Sequence, residues 1–509
     1  MFEVEQGCPP LAHRVSGVDA PVPSHESGER DKMPPPNEVG AGVGSPESGS
    51  LRAELIRDLD ERLGAEQANQ RLPTLVVGLV RDGNLVWWGA RGTTGIAGGR
   101  PPGTTTQYRV GSISKTFAAV LVMRLRDDGV LDLADAVGEH LPELEGLPIT
   151  VAQLLSHTSG MRAETAGPWW ERTPGVGFAE LMSSSIRPED LLWRPGRRFH
   201  YSNVGYAVLG ELVSRKRSAP FGEVVRDELL QPLGMDRTTL RPVAPNAEGL
   251  AVHPHADLVV TEPEHDAVAM APAGQLWSTI DDLVRWSDVL SGRRPEILSI
   301  ESLAEMTEPI GLADTPGQPW TGAYGLGLQL WNQAGKRRYG HSGAMPGFWA
   351  MVVVDQRSKD VVLAFANSTY SGLRPAFIEE LLGVLASQAR PPAPFTTSAG
   401  AAGSPGLELV GTWYWGPVEY RMNLGPDRRL ELRGQVSQGR DCDFRPNDDS
   451  SYVGQWGYFI GERLEVHRRG DGSVSHLDIA SFVFTRTPYD EKAYIPGGLN
   501  DTWHADQAY

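Results

Sequence analysis

Two segments far apart in the chain carry the apolar patterning of strands. Residues 75–92, LVVGLVRDGNLVWWGARG, alternate about an Asp82-Gly83-Asn84 turn, and residues 348–368, FWAMVVVDQRSKDVVLAFANS, flank a polar turn, so each is predicted to be a β-hairpin. The sequence between them is mostly helical in period. Residues 150–161, TVAQLLSHTSGM, open with Thr150 and Gln153 at capping-box spacing. VGYAVLGELVSR (204–215) and STIDDLVRWSDVL (278–290) carry apolar residues at helical intervals. RVGSISKTFAAV (109–120) reads as a helix start, with small and hydroxylic residues leading into an apolar run. Strands at both ends with helices between them predict an α/β domain over residues 51–390, its sheet closed by distant segments.

The pattern changes beyond that domain. PPAPFTTSAGAAGSP (391–405) has the composition of a linker. From residue 406 to 509 the chain shows short alternating strands and tight turns, as in EYRMNLGPDRRLELRG and ERLEVHRRGDGSVSHLDIASFVFTR, which predict an all-β sandwich or small barrel. Residues 1–50 are rich in Pro, Gly, Ser and Glu and are expected to be a disordered leader. The GAGVG inside it follows no strand, which argues against a nucleotide-binding loop there.

Composition narrows the function classes. A chain of 509 residues, 40 % hydrophobic and 8 % aromatic, suits two globular domains. Its formal net charge of −17, with neither sign gathered in a long block, argues against nucleic acid or an anionic membrane as partner. Cys8 and Cys442 stand at opposite ends, so neither a disulfide framework nor a thiolate metal site is implied. No run approaches the ~20 apolar residues of a membrane span, and no secretory signal is evident; a cytoplasmic location is the expectation.

Candidate chemistry begins with Ser112 and Lys115, three apart and therefore on one face of a helix. A neutral amine there could take the serine's proton; the plain alternative is a capping serine beside a solvated lysine. The chain has 6 lysines among its 47 basic residues, so a lysine at this position is an exception. Arginine cannot give up its proton, whereas a poorly hydrated lysine can. Tyr201 and Asn203 alternate just before a helix in FHYSNVGYAVLG and could face one cleft; the plain alternative is a turn capped by Asn203. His341 in YGHSGAMPGF ends a strand-like approach, and the glycines after it permit another backbone to come close.

The order S-x-x-K, Y-x-N, H-x-G resembles the serine β-lactamase and penicillin-binding protein superfamily, within it the class C β-lactamase and DD-peptidase-like branch. LLSHTSGM, QPLGMDRTTL, PAGQLWSTIDDL and YGLGLQLW also resemble that branch's recurrent segments, and the likeness spans residues 52 to 390. It implies an antiparallel sheet flanked by helices with an all-helical region. It further implies Ser112 as nucleophile, Lys115 as its base and Tyr201 as proton relay to the leaving group. Asn203, His341 and Gly343 would bind substrate, and the N–H groups of Ser112 and Ala344 would form the oxyanion hole. An acyl-enzyme on Ser112 is the implied intermediate, with no cofactor and no metal.

Dedicated β-lactamases of the branch usually carry Lys-Thr-Gly where this chain has His341-Ser342-Gly343, so the resemblance favours peptide acyl donors, often with a D-residue, over antibiotic hydrolysis. His341 would there be a titratable substitute for a fixed cation. The C-terminal module resembles the lipocalin-like domain of penicillin-binding-protein-type thioesterases. That adds a peptide-cyclising reading with a peptidyl carrier protein as partner, beside an intracellular D-peptidase, carboxylesterase or β-lactamase and, in another class, a non-catalytic ligand sensor. HPHAD (253–257) mimics a metal-ligand spacing but has no accompanying ligand set and is set aside. His157 and His200 are expected to be structural.

Overall fold

The computed structural model describes residues 51–388 and 405–493, apart from 97–98, 188–190, 334, 370–371, 426–427, 436–437, 448–450, 489 and 491–492. The expected leader (1–50) and all but the last residue of the expected linker (391–405) lie outside the described residues. The chain divides into two compact units, residues 1–389 and 390–509.

In the first unit, strand β1 (Thr74–Arg81) turns into β2 (Asn84–Gly92) through two residues, Asp82 and Gly83, both with positive φ, which gives the strands the twist they need. Asn84 already belongs to β2. The other strands of this sheet are β3 (Gly311–Leu312), β4 (Gly322–Tyr324), β5 (Gln329–Gln333), β6 (Lys336–Met345), β7 (Phe348–Asp355) and β8 (Val361–Ala366). Their order is β2-β1-β8-β7-β6-β5-β4-β3, and the paired strands are antiparallel, so the expected closure by distant segments is found in the β1–β8 pairing, Leu75 opposite Ala366.

Alternate side chains enter two cores. Val76 and Val80 of β1, Val352 and Val354 of β7, and Leu363 and Phe365 of β8 join the helical side. Leu75, Val77 and Leu79, with Val353, Val362 and Ala364, join the other side. There the cover is α1 (Ala53–Asn69) through Leu59 and Leu63 and the C-terminal helix Pro375–Ser387 through Phe377 and Leu381. Burial on both faces explains the near-continuous apolar runs of these strands, in place of the alternation expected over residues 75–92, although the sheet is antiparallel.

The helical side is built around α2 (Ser114–Asp127), whose residues Ser114 to Met123 are all buried. Phe117 stacks on Trp286 of the helix Ile280–Leu290, ring centroids 3.8 Å apart. A third helix, α3 (Asn203–Arg217), packs against α2; its N-cap is Ser202, whose Oγ accepts from the Gly205 N–H at 3.0 Å, not Asn203. The predicted capping box is present, Thr150 Oγ1 accepting from the Gln153 N–H at 3.2 Å, but that helix covers only Val151–Leu155 before the chain turns out at His157, φ +57°.

The second unit is a closed barrel of eight strands in sequential order: Gly411–Trp415, Val418–Leu424, Leu430–Gly434, Cys442–Pro446, Tyr452–Gly454, Arg463–Arg468, Val474–Ile479 and Phe482–Thr485. Of the two architectures the sequence allowed, the barrel is the one formed, consistent with a lipocalin-like domain. Closure removes the sheet edges, and Trp413, Met422, Leu432, Phe444, Leu477 and Phe484 fill the interior. Cys442 is a free, buried thiol. Among the described residues no helix is long and apolar enough to cross a membrane.

Candidate active site

The nucleophile candidate is placed by backbone pairing on both sides of it. Tyr108–Arg109 pairs with Trp277–Ser278, and the Val110 N–H donates to the Leu276 carbonyl at 2.8 Å. The chain then makes a 3₁₀ turn, Gly111–Ile113, and runs into α2. Ser112 lies on that turn and makes no capping bond, so its hydroxyl remains available to the cleft.

Lys115 is wholly buried one turn on. Its Nζ contacts Ser112 Oγ at 2.9 Å, Asn203 Oδ1 at 2.6 Å and the Ala273 carbonyl at 2.7 Å. Burial pushes the amine down to about 7, while the charges of Glu164 and Glu171 act in the opposite sense. Once neutral, the amine has two N–H groups for Asn203 Oδ1 and the Ala273 carbonyl, and its lone pair faces the Ser112 hydroxyl. That is the arrangement a general base for serine requires.

Tyr201 completes the polar face. The Lys115 Nζ lies 4.8 Å from its ring centroid, and the Ser112 hydroxyl acts to lower the phenol against the larger effect of burial. Burial holds the phenol well above its ordinary range, so it stays protonated near neutrality and can hand on a proton without competing as the initial base. His157, expected to be structural, packs beneath it with ring centroids 4.1 Å apart and accepts from the Ser202 N–H at 3.0 Å.

Asn203 is engaged at both ends of its side-chain amide. Its Oδ1 takes the lysine and its Nδ2 donates to Glu164 Oε1 at 2.6 Å. Glu164 Oε2 in turn accepts from the Trp170 indole at 2.7 Å. Nothing in the sequence pattern pointed to Glu164, because it lies in an irregular loop and meets Asn203 only through the tertiary fold.

The opposite wall is β6. A Cβ on Gly343 would lie 1.9 Å from the Val110 carbonyl oxygen and 2.9 Å from the Ser112 nitrogen; one on Gly111 would lie 2.6 Å from the Ala344 nitrogen. Glycine at both positions therefore lets the two backbones meet, and Gly343 supplies room. Strand β5 pairs with β6 only as far as Gly340, and beyond it the Ser342 N–H points out of that edge to Gln329 Oε1 at 2.9 Å. By the alternation of an antiparallel ladder, the Ala344 N–H leaves the same edge, beside the nucleophile. Gly111 and Gly343 thus bring the backbone nitrogens of Ser112 and Ala344, the donors expected to hold an oxyanion, to one junction.

His341 lies in this wall but not as a cation. It is wholly buried; its Nδ1 donates to the Ser342 carbonyl at 2.5 Å and its Nε2 accepts from the Tyr324 hydroxyl at 2.8 Å. Burial, and then the charge of Lys115, push it down to about 3. The imidazole is neutral across the physiological range, which corrects the expectation of a titratable substitute for a fixed positive charge. The HPHAD segment forms no compact ligand set: the His253 and His255 ring centroids are 6.2 Å apart, and Asp257 pairs with Arg71 at 3.0 Å.

Residues 54–383 match the family model described as Beta-lactamase, and residues 404–486 match a domain of unknown function, DUF7586. A D-aminopeptidase of Cereibacter sphaeroides is 27 % identical over 471 residues, covering 88 % of this chain and 82 % of that protein. Protein flp of Staphylococcus aureus (strain MW2) is 26 % identical over 288 residues, covering 54 % of this chain and 56 % of that protein, so the chain spans about half the length of that relative. Among solved structures, a D-stereospecific amidohydrolase from Streptomyces sp. superposes with a TM-score of 0.53 at 25 % identity, covering 65 % of this chain and 98 % of the other. The chain therefore belongs to the beta-lactamase family, in the superfamily of serine hydrolases that includes D-aminopeptidases and penicillin-binding-protein-like folds.

Proposed function

We propose that this protein is a serine hydrolase that forms an acyl-enzyme on Ser112 from short peptides or amides bearing a D-residue at the reacting carbonyl and a free amino group. The observation that carries the reading is the 2.9 Å contact between the Ser112 hydroxyl and an amine that burial lowers to about 7. Lys115 takes the hydroxyl proton as Oγ attacks the carbonyl carbon, and the Ser112 and Ala344 N–H groups take up the charge on the oxygen. Tyr201 passes the proton to the leaving amine; water then repeats the sequence to release the acid.

Charge at the site supports the substrate class. The third motif supplies no cation, because His341 is neutral, so it is poorly suited to the carboxylate of a β-lactam or of a peptide C-terminus. The charges of two carboxylates, Glu164 and Glu171, reach Lys115, and such negative charge near the serine suits a substrate ammonium. The similarity to a D-aminopeptidase and a D-stereospecific amidohydrolase points the same way. A cytoplasmic location belongs to this reading and is compatible with the free thiol of Cys442.

Amides and dipeptides in matched D and L forms test it. The D forms should be hydrolysed with kcat/KM ~10²-fold higher, and equal or reversed preference would reject the stereochemical assignment. Peptidyl thioesters in the same series should give linear acid. Cyclic product as the main species would instead select the cyclising enzyme, with a peptidyl carrier protein as partner, that the barrel domain suggests. For Glu164→Gln, kcat/KM should fall ~10-fold for substrates with a free amine and stay unchanged for their N-acetyl forms. An equal fall for both would reduce Glu164 to a positioning role through Asn203.

A further inference from the structure

The barrel carries a side-chain cluster that the proposed chemistry at Ser112 does not use. Strands Arg463–Arg468 and Val474–Ile479 pair antiparallel with His467 opposite His476, and Asp478 follows two residues later on the same face of its strand. Leu464, Leu477 and Ile479 point into the barrel, so the two histidines and the aspartate project from its outer face. His476 and Asp478 are nevertheless buried, each 7 % exposed, and His467 is partly buried.

We infer that His467, His476 and Asp478 form a binding site for a zinc-class divalent cation. The His467 Nε2 lies 3.0 Å and the His476 Nε2 3.7 Å from the Asp478 carboxylate oxygens, and one ligand atom from each residue falls within 4.8 Å of the others. Tetrahedral zinc with bonds of ~2.0–2.1 Å separates its ligands by ~3.4 Å, so small side-chain rotations close the set. The two rings lie parallel, centroids 4.4 Å apart and planes 5° apart. The His467 Nε2 is buried and makes no hydrogen bond of acceptable geometry among the described residues, despite its short approach to Asp478.

The surroundings fit such a ligand. The His476 Nδ1 contacts Ser475 Oγ at 3.1 Å; donating there, it keeps the Nε2 lone pair turned to the site. Arg469, a positive charge acting on His476, is paired with Asp490 at 3.4 Å. Three protein ligands leave a fourth position for water, and the cation would tie two neighbouring strands together. No sequence motif announces the set, since its members come from two strands. The proposal revises the expectation that the chain holds no metal, and it is independent of the chemistry at Ser112.

Chelator-treated full-length protein titrated with Co²⁺ should develop the intense visible absorption of a four-coordinate site at one equivalent per chain, and Zn²⁺ should displace it. His467→Ala and the isosteric Asp478→Asn should each weaken Zn²⁺ binding at least ~10-fold in equilibrium dialysis. His253→Ala/His255→Ala should bind as wild type. Absence of a stoichiometric signal from the wild-type protein overturns the proposal, as does unaltered binding by Asp478→Asn. Loss of binding in the His253→Ala/His255→Ala protein would move the site to the HPHAD segment and overturn it equally. If His467→Ala does not fold, judged by far-ultraviolet circular dichroism, the Asp478→Asn comparison decides.

Discussion

Ser112→Ala will take no covalent label from a fluorophosphonate or a labelled penicillin and will hydrolyse substrate at least ~10³-fold more slowly than the wild-type protein. The change removes one oxygen on a 3₁₀ turn whose placement depends on backbone bonds and on the close meeting of Gly111 with β6, none of which uses the hydroxyl. Folding and thermal stability should therefore remain near wild type. Mass spectrometry of intact protein after labelling reads the outcome directly. Labelling of the alanine variant at the wild-type rate would place the nucleophile elsewhere, and a wild-type protein that resists every acylating probe would favour a ligand sensor built on this fold.

Lys115→Arg is expected to lower acylation of Ser112 by ~10³-fold while keeping a positive charge at the position. A guanidinium cannot be deprotonated in a protein, so it can donate to Asn203 and Ala273 but cannot accept the serine proton. Retained activity would remove Lys115 from the role of base. The wild-type pH profile supplies the companion measurement: kcat/KM should rise with pH and level off above about 7, where burial sets the lysine. The sign for stability follows from the same lowering, from 10.5 in the unfolded chain to about 7 when buried. Between those values the unfolded state holds the extra proton, so this residue favours folding more as pH rises through the window; below it the cost of burying the charge is complete. Denaturant titrations of the wild type and of Lys115→Met across that range separate this contribution from other groups.

Much of the fold was written in local pattern. The two hairpins and the Thr150/Gln153 capping box are short-range signals that appear where the pattern placed them, and the expected Asp82-Gly83-Asn84 turn is met at its first two residues, Asn84 opening β2. Packing decided what local pattern left open. Strand β1 is buried from Thr74 to Val80 because helices cover both faces of its sheet. Asn203 resembles a cap but is the first residue inside α3, freed for Lys115 because Ser202 takes the capping role.

The candidate site divides along the same line. By itself the sequence determined which residue types are available: a serine and a lysine one helical turn apart, a tyrosine and asparagine at a helix start, and a histidine ahead of glycines. Helical spacing makes the first pair neighbours whatever surrounds them. Only the tertiary structure decided their charge states, because burial and long-range contacts set those. It neutralised His341 between Tyr324 and the Ser342 carbonyl, brought Glu164 to Asn203 across 39 residues, and lowered Lys115 by enclosing it. The two histidine clusters show the same limit: HPHAD looks like a ligand set and stays splayed at the surface, whereas His467, His476 and Asp478 converge only because two strands pair in one register. Proximity along the chain fixes which side chains can meet locally; desolvation and cross-strand register, which decide chemistry, exist only in the folded molecule.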